Sequence, residues 1–389
     1  MKIGIDKIGF YTPHLYVDMN NLAVARGVEP EKFTIGIGQD EMAIAPLTQD
    51  PVTLAANAAL QILDENDREK IDFVMFGTES GIDHSKSAAI YVHELLGLSP
   101  HARSIEMKQA CYGGTAAIQL AKGHIALNPE SKVLVLASDI ARYGLQTSGE
   151  VTQGAGAVAV LISAEPGVLE LENISTFLTK DIMDFWRPTY SDVAFVDGKF
   201  SNEQYMAFFS EVWEEYKKKT DLTISDFEAI CYHLPYTKMG LKALRTILDE
   251  GSEEVQKRLS ENFQASTLYS RKVGNIYTAS LYLSLISLLE EQDLEAGSRI
   301  GLFSYGSGAV GEFFSGILQP NYREFLSVDT HKDNFNSRTE VTVTEYESIF
   351  QKTLPIDGST MELDTSQDPA PICLSGIKDH ERQYINKHK

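Results

Sequence analysis

The sequence predicts an α/β protein assembled from two copies of one unit, on three observations. Short apolar runs of buried-strand length alternate with stretches of helical periodicity. The segment Gly154-Ala-Gly-Ala-Val returns 152 residues later as Gly306-Ser-Gly-Ala-Val. A titratable residue follows a strand-like run in each half, Glu79 after Ile71–Gly77 and His233 after Phe227–Tyr232.

The elements follow in order. Residues 1–13 read as a strand with charges in it, not as a targeting segment. Ile71–Gly77, Val133–Ala137, Val158–Ile162, Phe227–Tyr232 and Ile300–Tyr305 have the apolar density of strands covered on both faces. Thr115–Ala126 and Thr278–Glu290 lie between them with helical spacing. Cys111, after Met-Lys-Gln-Ala, and Asn275, after Arg-Lys-Val-Gly, hold comparable places ahead of those helices. The second half is longer at this point, and the polar segment Asp249–Gln264 is the candidate insertion. This places a first half at 1–166, with Glu79 and Cys111, and a second at 167–389, with His233 and Asn275. From about residue 331 the chain turns polar and is expected to pack as an extension on the second half.

Composition narrows the function. A chain of 389 residues, 43% hydrophobic and 23% charged, can bury a large core. Its net charge of −21 argues against a general nucleic-acid or anionic-membrane surface. The longest apolar stretch, Leu281–Leu289, is far short of a membrane span. Cys111, Cys231 and Cys373 form neither a CxxC pair nor a metal spacing, which fits a reducing cytoplasmic setting.

Three residues carry the expected chemistry. Cys111 precedes Tyr-Gly-Gly and an Ala-rich helical run. At a helix start, free N–H groups and the helix dipole favour an anion, so the thiol pKa is expected to be lowered and the sulfur to be nucleophilic. Most lone cysteines are inert core residues, and position alone does not separate the two readings. Gly113 and Gly114 would let another backbone or a ligand come close. Glu79 and His233 lie just past strand ends, where ligand sites of α/β sheets gather. A Glu in an apolar pocket can act as base, and a His can donate to a carbonyl oxygen. Lys238, Lys242 and Arg245 share one helical face beside His233 and suit a phosphate-bearing ligand, although most such faces are merely solvated. Gly306–Gly311 matches GxGxxG, but strand-like residues follow it, so it reads as a tight turn and not as a dinucleotide site.

Together, Glu79, Cys111-Tyr-Gly-Gly, Ser138-Asp-Ile-Ala, Asp184-Phe-Trp-Arg-Pro, Val196-Asp-Gly-Lys, His233-Leu-Pro-Tyr, Gly274-Asn-Ile-Tyr-Thr and Phe303-Ser-Tyr-Gly-Ser-Gly resemble the bacterial-type 3-hydroxy-3-methylglutaryl-CoA synthases of the thiolase superfamily, over about residues 2–330. The resemblance implies a thiolase fold with five layers, α-β-α-β-α, and a cytoplasmic homodimer. It implies condensation of acetyl-CoA with acetoacetyl-CoA, a step of the mevalonate route to isoprenoids, without metal or redox cofactor. Cys111 would carry the acetyl group, Glu79 would be the base, and His233 would bind and polarise acetoacetyl-CoA. Asn275 and Ser307 would contact its acyl part, and Lys238 and Lys242 would serve the CoA phosphates and pantetheine. Glu29, Pro30, Thr152 and Ser201 match channel-lining positions. Asp139, Tyr143, Asp184 and Phe185 match residues supporting the acyl pocket. The chain departs from the animal-type pattern in the loop Gly144–Val151, and Glu29-Pro30 replaces an Asp-Ala pair. Two other functions fit parts of the pattern: a ketoacyl-carrier-protein synthase of the same fold, for which Glu79 is unnecessary, and a non-catalytic acyl-CoA-binding protein.

Overall fold

The computed structural model describes residues 1–191 and 193–388. The first half contributes strands β1 (Gly4–Tyr11), β2 (Ile71–Gly77), β3 (Arg103–Met107), β4 (Lys132–Ile140) and β5 (Ala155–Ser163). The second contributes β6 (Leu169–Thr179), β7 (Ala229–Tyr232), β8 (Arg299–Gly306) and β9 (Val310–Leu318). They run β7-β8-β9-β6-β1-β5-β4-β2-β3 across one nine-stranded sheet. The duplication is visible in the directions. From β1 outward the first half pairs β5 and β4 antiparallel, then β2 parallel. From β6 outward the second pairs β9 and β8 antiparallel, then β7 parallel. The halves meet edge to edge over just two residue pairs, Gly4 with Glu170 and Ile5 with Leu169.

The strand period of two sorts side chains into layers. In β4, Leu134 and Leu136 face an outer cluster with α1 (Pro51–Leu60) and α2 (Ala88–Leu96). Val133, Val135 and Ala137 face inward, toward α3 (Gly113–Leu127). In the second half Phe303, Tyr305 and Phe313 face an outer cluster with α4 (Gly198–Thr220) and α5 (Thr237–Arg245). Ala229, Cys231, Ile300 and Leu302 face inward, toward α7 (Ser280–Glu291). One cluster spans both inner faces with α3 and α7 between them, which gives the five layers expected. In α3 the buried stripe is Ala117, Ile118, Ala121 and Ile125, the spacing of one helical face. Every residue of α7 from Ser280 to Glu290 is buried, as a helix packed on all sides requires.

Most of the candidate insertion Asp249–Gln264 belongs to α6 (Glu253–Val273), capped by Ser252 and burying Val255, Leu259 and Phe263 on one face. The polar residues are its solvated side. One expectation is corrected: the C-terminal extension does not pack chiefly on the second half. Thr339–Glu340 pairs with Leu15–Tyr16. The hairpin Ile372–Lys378/Glu381–Asn386 docks on α1, where the Asn57 amide exchanges bonds of 2.9 and 3.0 Å with the Ile372 main chain. Arg382 and Tyr384 both reach the Asp50 carboxylate at 2.8 Å. Asp50 caps the start of α1, so the extension seals that helix end.

Candidate active site

β2 ends at Gly77, and the next turn carries Glu79. Its N–H donates to Asp139 Oδ1 at 2.7 Å. Asp139, fully buried at the end of β4, also accepts from Thr78 Oγ1 (3.0 Å), Ser80 Oγ (2.8 Å) and Thr278 Oγ1 (2.5 Å). One carboxylate thus ties the base-bearing turn to the second half. Cys111 sits two residues ahead of α3, after Ala110, whose φ of 44° lies in the region that favours glycine. The sulfur donates to Glu79 Oε1 at 2.9 Å.

Main-chain contact sets that spacing. A Cβ on Gly77 would stand 2.7 Å from the Gly113 carbonyl carbon, and one on Gly114 2.6 Å from Thr278 O. The expectation of close approach at Gly113 and Gly114 is met by backbone from both halves. Gly77→Ala should push the two turns apart. Because a 1 Å misplacement can cost about a hundredfold in rate, we expect a loss of roughly that size in kcat with the fold retained, read by steady-state kinetics and circular dichroism.

The electrostatics overturn one expectation. The Cys111 thiol is not lowered by its helix. Burial comes first, and Glu79, Asp139 and Asp184 add negative charge around it, so its pKa is raised well above the ordinary thiol value. The partial positive charge of a helix start does not offset that. Glu79 is also raised, to about 8, by burial first and the Asp139 charge second. The sulfur therefore rests as a thiol hydrogen-bonded to a carboxyl group poised near neutrality.

Cys111 opens into a cavity of about 190 Å³. The same cavity is lined by Tyr143, Thr152, Phe185, Ser201, His233, Asn275 and Ser307. Burial lowers the His233 pKa to about 3, so the ring is neutral, and its buried Nδ1 has no hydrogen-bond partner among the described residues. Asn275 donates to Tyr143 OH at 3.2 Å and accepts from Tyr277 N at 2.9 Å. Tyr143, Phe185 and Tyr277 pack ring against ring at 5.9–6.1 Å. Asp184 lies behind this wall, accepting from Tyr305 OH at 2.7 Å, Gly308 N at 2.8 Å and Ser201 Oγ at 3.3 Å.

Besides Glu79, Asp139 and Asp184, which lie behind the cavity wall, four expected positions stand apart from it. Lys242 is exposed and donates to the hydroxyl of Tyr236, a wall residue, at 3.2 Å. Lys238, one helical turn earlier, is half-buried. Glu29 is exposed and Pro30 half-buried, just before the helical turn Lys32–Ile37, and neither lines the cavity. That turn is tied to the start of α5, where Thr237 Oγ1 donates to Gly38 O at 2.6 Å. Sequence reasoning missed Tyr205 and Met239 on the wall, and gave no role to Tyr236, Tyr277 and Tyr305, which stand within the quoted motifs and also line it. Buried aromatics read as core, and nothing in their spacing marks them as lining. A shallower groove of about 680 Å³ between α6 and the end of α7 is lined mainly by charged side chains and by none of the candidate residues.

Fold and site together define a thiolase-fold condensing enzyme that transfers an acyl group. A family model described as "Hydroxymethylglutaryl-coenzyme A synthase N terminal" matches residues 1–166, and its C-terminal counterpart matches 168–262 and 246–356. The chain is 52% identical to a hydroxymethylglutaryl-CoA synthase of Enterococcus faecalis over 387 residues, 99% of this chain and 100% of that one. It is 30% identical to a 3-hydroxy-3-methylglutaryl-ACP synthase of polyketide biosynthesis from Bacillus subtilis, over 100% of this chain and 97% of that one. A crystal structure of an HMG-CoA synthase complexed with CoA superposes with a TM-score of 0.96 at 46% identity, covering 99% of this chain and 100% of that one. The chain belongs to the hydroxymethylglutaryl-CoA synthase family.

Proposed function

We propose that the protein condenses acetyl-CoA with acetoacetyl-CoA and water to give 3-hydroxy-3-methylglutaryl-CoA and CoA, as a step toward isoprenoids by the mevalonate route. The observation that carries this reading is the 2.9 Å contact between Cys111 Sγ and Glu79 Oε1 beside a cavity that also holds His233 and Asn275. The sulfur attacks the acetyl thioester, CoA leaves as its thiol, and the acetyl group stays on Cys111. Its methyl then lies within reach of the Glu79 carboxylate, which removes a proton. Acetylation also deletes the S–H donor that lowers the Glu79 pKa, so the carboxylate gains proton affinity as a C–H bond must be broken. The enolate attacks the ketone of acetoacetyl-CoA, and water cleaves the thioester to Cys111. Every step is polar and no electrons are gained or lost, so the CoA thioesters are substrates and no resident cofactor is required.

His233, neutral and buried, suits a hydrogen bond to an acetoacetyl carbonyl. His233→Ala should leave acetylation of Cys111 intact and raise KM for acetoacetyl-CoA. Loss of one buried hydrogen bond is worth about 1–3 kcal/mol, roughly ten- to hundredfold, and initial-rate kinetics reads it. Lys238 and Lys242, beside the cavity, suit the CoA phosphates. The test of the whole reading is incubation with acetyl-CoA alone. A gain of about 42 Da, an acetyl group replacing a proton, should map to Cys111, and acetoacetyl-CoA should then discharge it. CO2 release from a malonyl thioester would instead support the decarboxylating ketoacyl synthase.

The protein acts as a homodimer in the cytoplasm. In support of the dimer, β3 is a free edge of the large sheet and exposes Ile105 at 39%. Open edges of this kind recruit another strand. Ile105→Lys should convert a dimer to a monomer in light scattering after size exclusion, and a monomeric parent would refute the assignment. In support of the compartment, the three cysteines are unpaired, and no helix among the described residues is long and apolar enough to cross a membrane.

A further inference from the structure

The segment after β6 folds over the cavity as a small flap, in which Phe185–Trp186 pairs antiparallel with Phe195–Val196. Both Phe185 and Val196 line the cavity. Asp184 anchors the flap to the second half through Tyr305, Gly308 and Ser201. Arg187 reaches the other way, and its Nη2 donates to the main-chain carbonyl of Glu79 in the first half. The Glu79 turn is thus gripped on both sides, its N–H by Asp139 and its C=O by Arg187. Asp139 is buried, whereas Arg187 is exposed on the flap.

We propose that Arg187 is a positioning residue that couples the flap to the base: with the flap seated over the acyl site, its guanidinium fixes the Glu79 turn and favours the carboxylate that removes the methyl proton. This rests on the reading of Glu79 as base given above. The groups facing Glu79 are Asp139 from the end of β4, Cys111 from the turn before α3, Tyr143 from the loop after β4, Tyr277 ahead of α7, and Arg187. Arg187 is the cation among them. Burial and Asp139 raise the Glu79 pKa, and the Arg187 charge opposes them. With the flap seated, a cation is thus held against the main chain of the turn that carries the base.

Two variants separate charge from contact. Arg187→Gln keeps an N–H donor and removes the charge, and Arg187→Lys keeps the charge. The condensation rate is followed against pH with saturating substrates, and acetyl-Cys111 is followed by mass spectrometry. In Arg187→Gln the rising limb of the profile should move up by about one pH unit, which is about tenfold slower turnover at neutral pH and near-parent turnover well above the limb. Acetylation should persist, and Arg187→Lys should keep the parent limb. A Gln profile that superimposes on the parent after scaling, or a loss equal at every pH, overturns the proposal and leaves Arg187 a structural contact. The carboxyl C=O stretch of Glu79, isolated by subtracting the infrared spectrum of Glu79→Gln, needs no substrate and reads its protonation directly. Its pH midpoint should rise in Arg187→Gln and stay in Arg187→Lys, and an unmoved midpoint in the Gln variant also counts against the proposal. A parent enzyme that takes no acetyl group would refute the condensing reaction itself, while the infrared titration would still decide on Arg187.

Discussion

Glu79→Ala should still take an acetyl group from acetyl-CoA onto Cys111 and yet fail to condense it. The two halves of this result have separate causes. The carboxyl of Glu79 is the second and third cause of the raised thiol pKa, through its charge and through its hydrogen bond, after burial. Removing it leaves a sulfur that ionises more readily, so the first step survives. Removing it also takes away the carboxyl 2.9 Å from the sulfur, the proposed acceptor of the methyl proton. A general base typically supplies about 10²–10⁴-fold, and condensation should fall by that order. Mass spectrometry of the variant with acetyl-CoA, followed by addition of acetoacetyl-CoA, reads both steps in one tube. An acetyl group that never appears would assign Glu79 to the first step instead. In the parent, turnover should climb as pH rises toward about 8, because the active form of Glu79 is the ionised one and its pKa is raised to that value.

Cys111→Ala should abolish both the adduct and turnover, the largest loss expected of any single change here. No other thiol can take its place: Cys231 faces the inner core cluster and Cys373 lies buried within the first strand of the C-terminal hairpin. CoA should still bind, because Lys238, Lys242 and the wall from α4 and α5 are untouched. Calorimetry with CoA separates loss of chemistry from loss of the site. Turnover in Cys111→Ala, or a second acetylated residue in the parent, would refute the covalent route.

Much of this was legible in the sequence where burial dictates composition. Ile71–Gly77 is delimited to the residue, because a strand covered on both faces reads as a near-continuous apolar run, broken here at Asp72. Glu79 and His233 could be picked out because each follows such a strand. What failed was whatever depends on neighbours remote in sequence. The pKa of Cys111 is decided by Asp139 and Asp184, which meet it only in the folded chain. Helix α6 reads in the sequence as a merely polar segment because its exposed face is so dense in Glu, Gln, Lys and Asn that the stripe of Val255, Leu259 and Phe263 is diluted. The docking of the last hairpin on α1 rests on one amide, Asn57, and two contacts to Asp50, none of which has a local signature. Arg187 was in view within Asp184-Phe-Trp-Arg-Pro, yet its partner is a main-chain oxygen, and no sequence pattern records that.

The inner layer has a consequence for biosynthesis. A ribosome delivers the sulfur and its carboxylate first, on a half whose inward face has as yet no opposing layer. The walls that exclude water, Asn275, Tyr277 and Ser307 among them, arrive only when the later half docks through α7. Contacts so distant in sequence form slowly. The cavity around Cys111 is therefore complete only once the last third of the protein has been made.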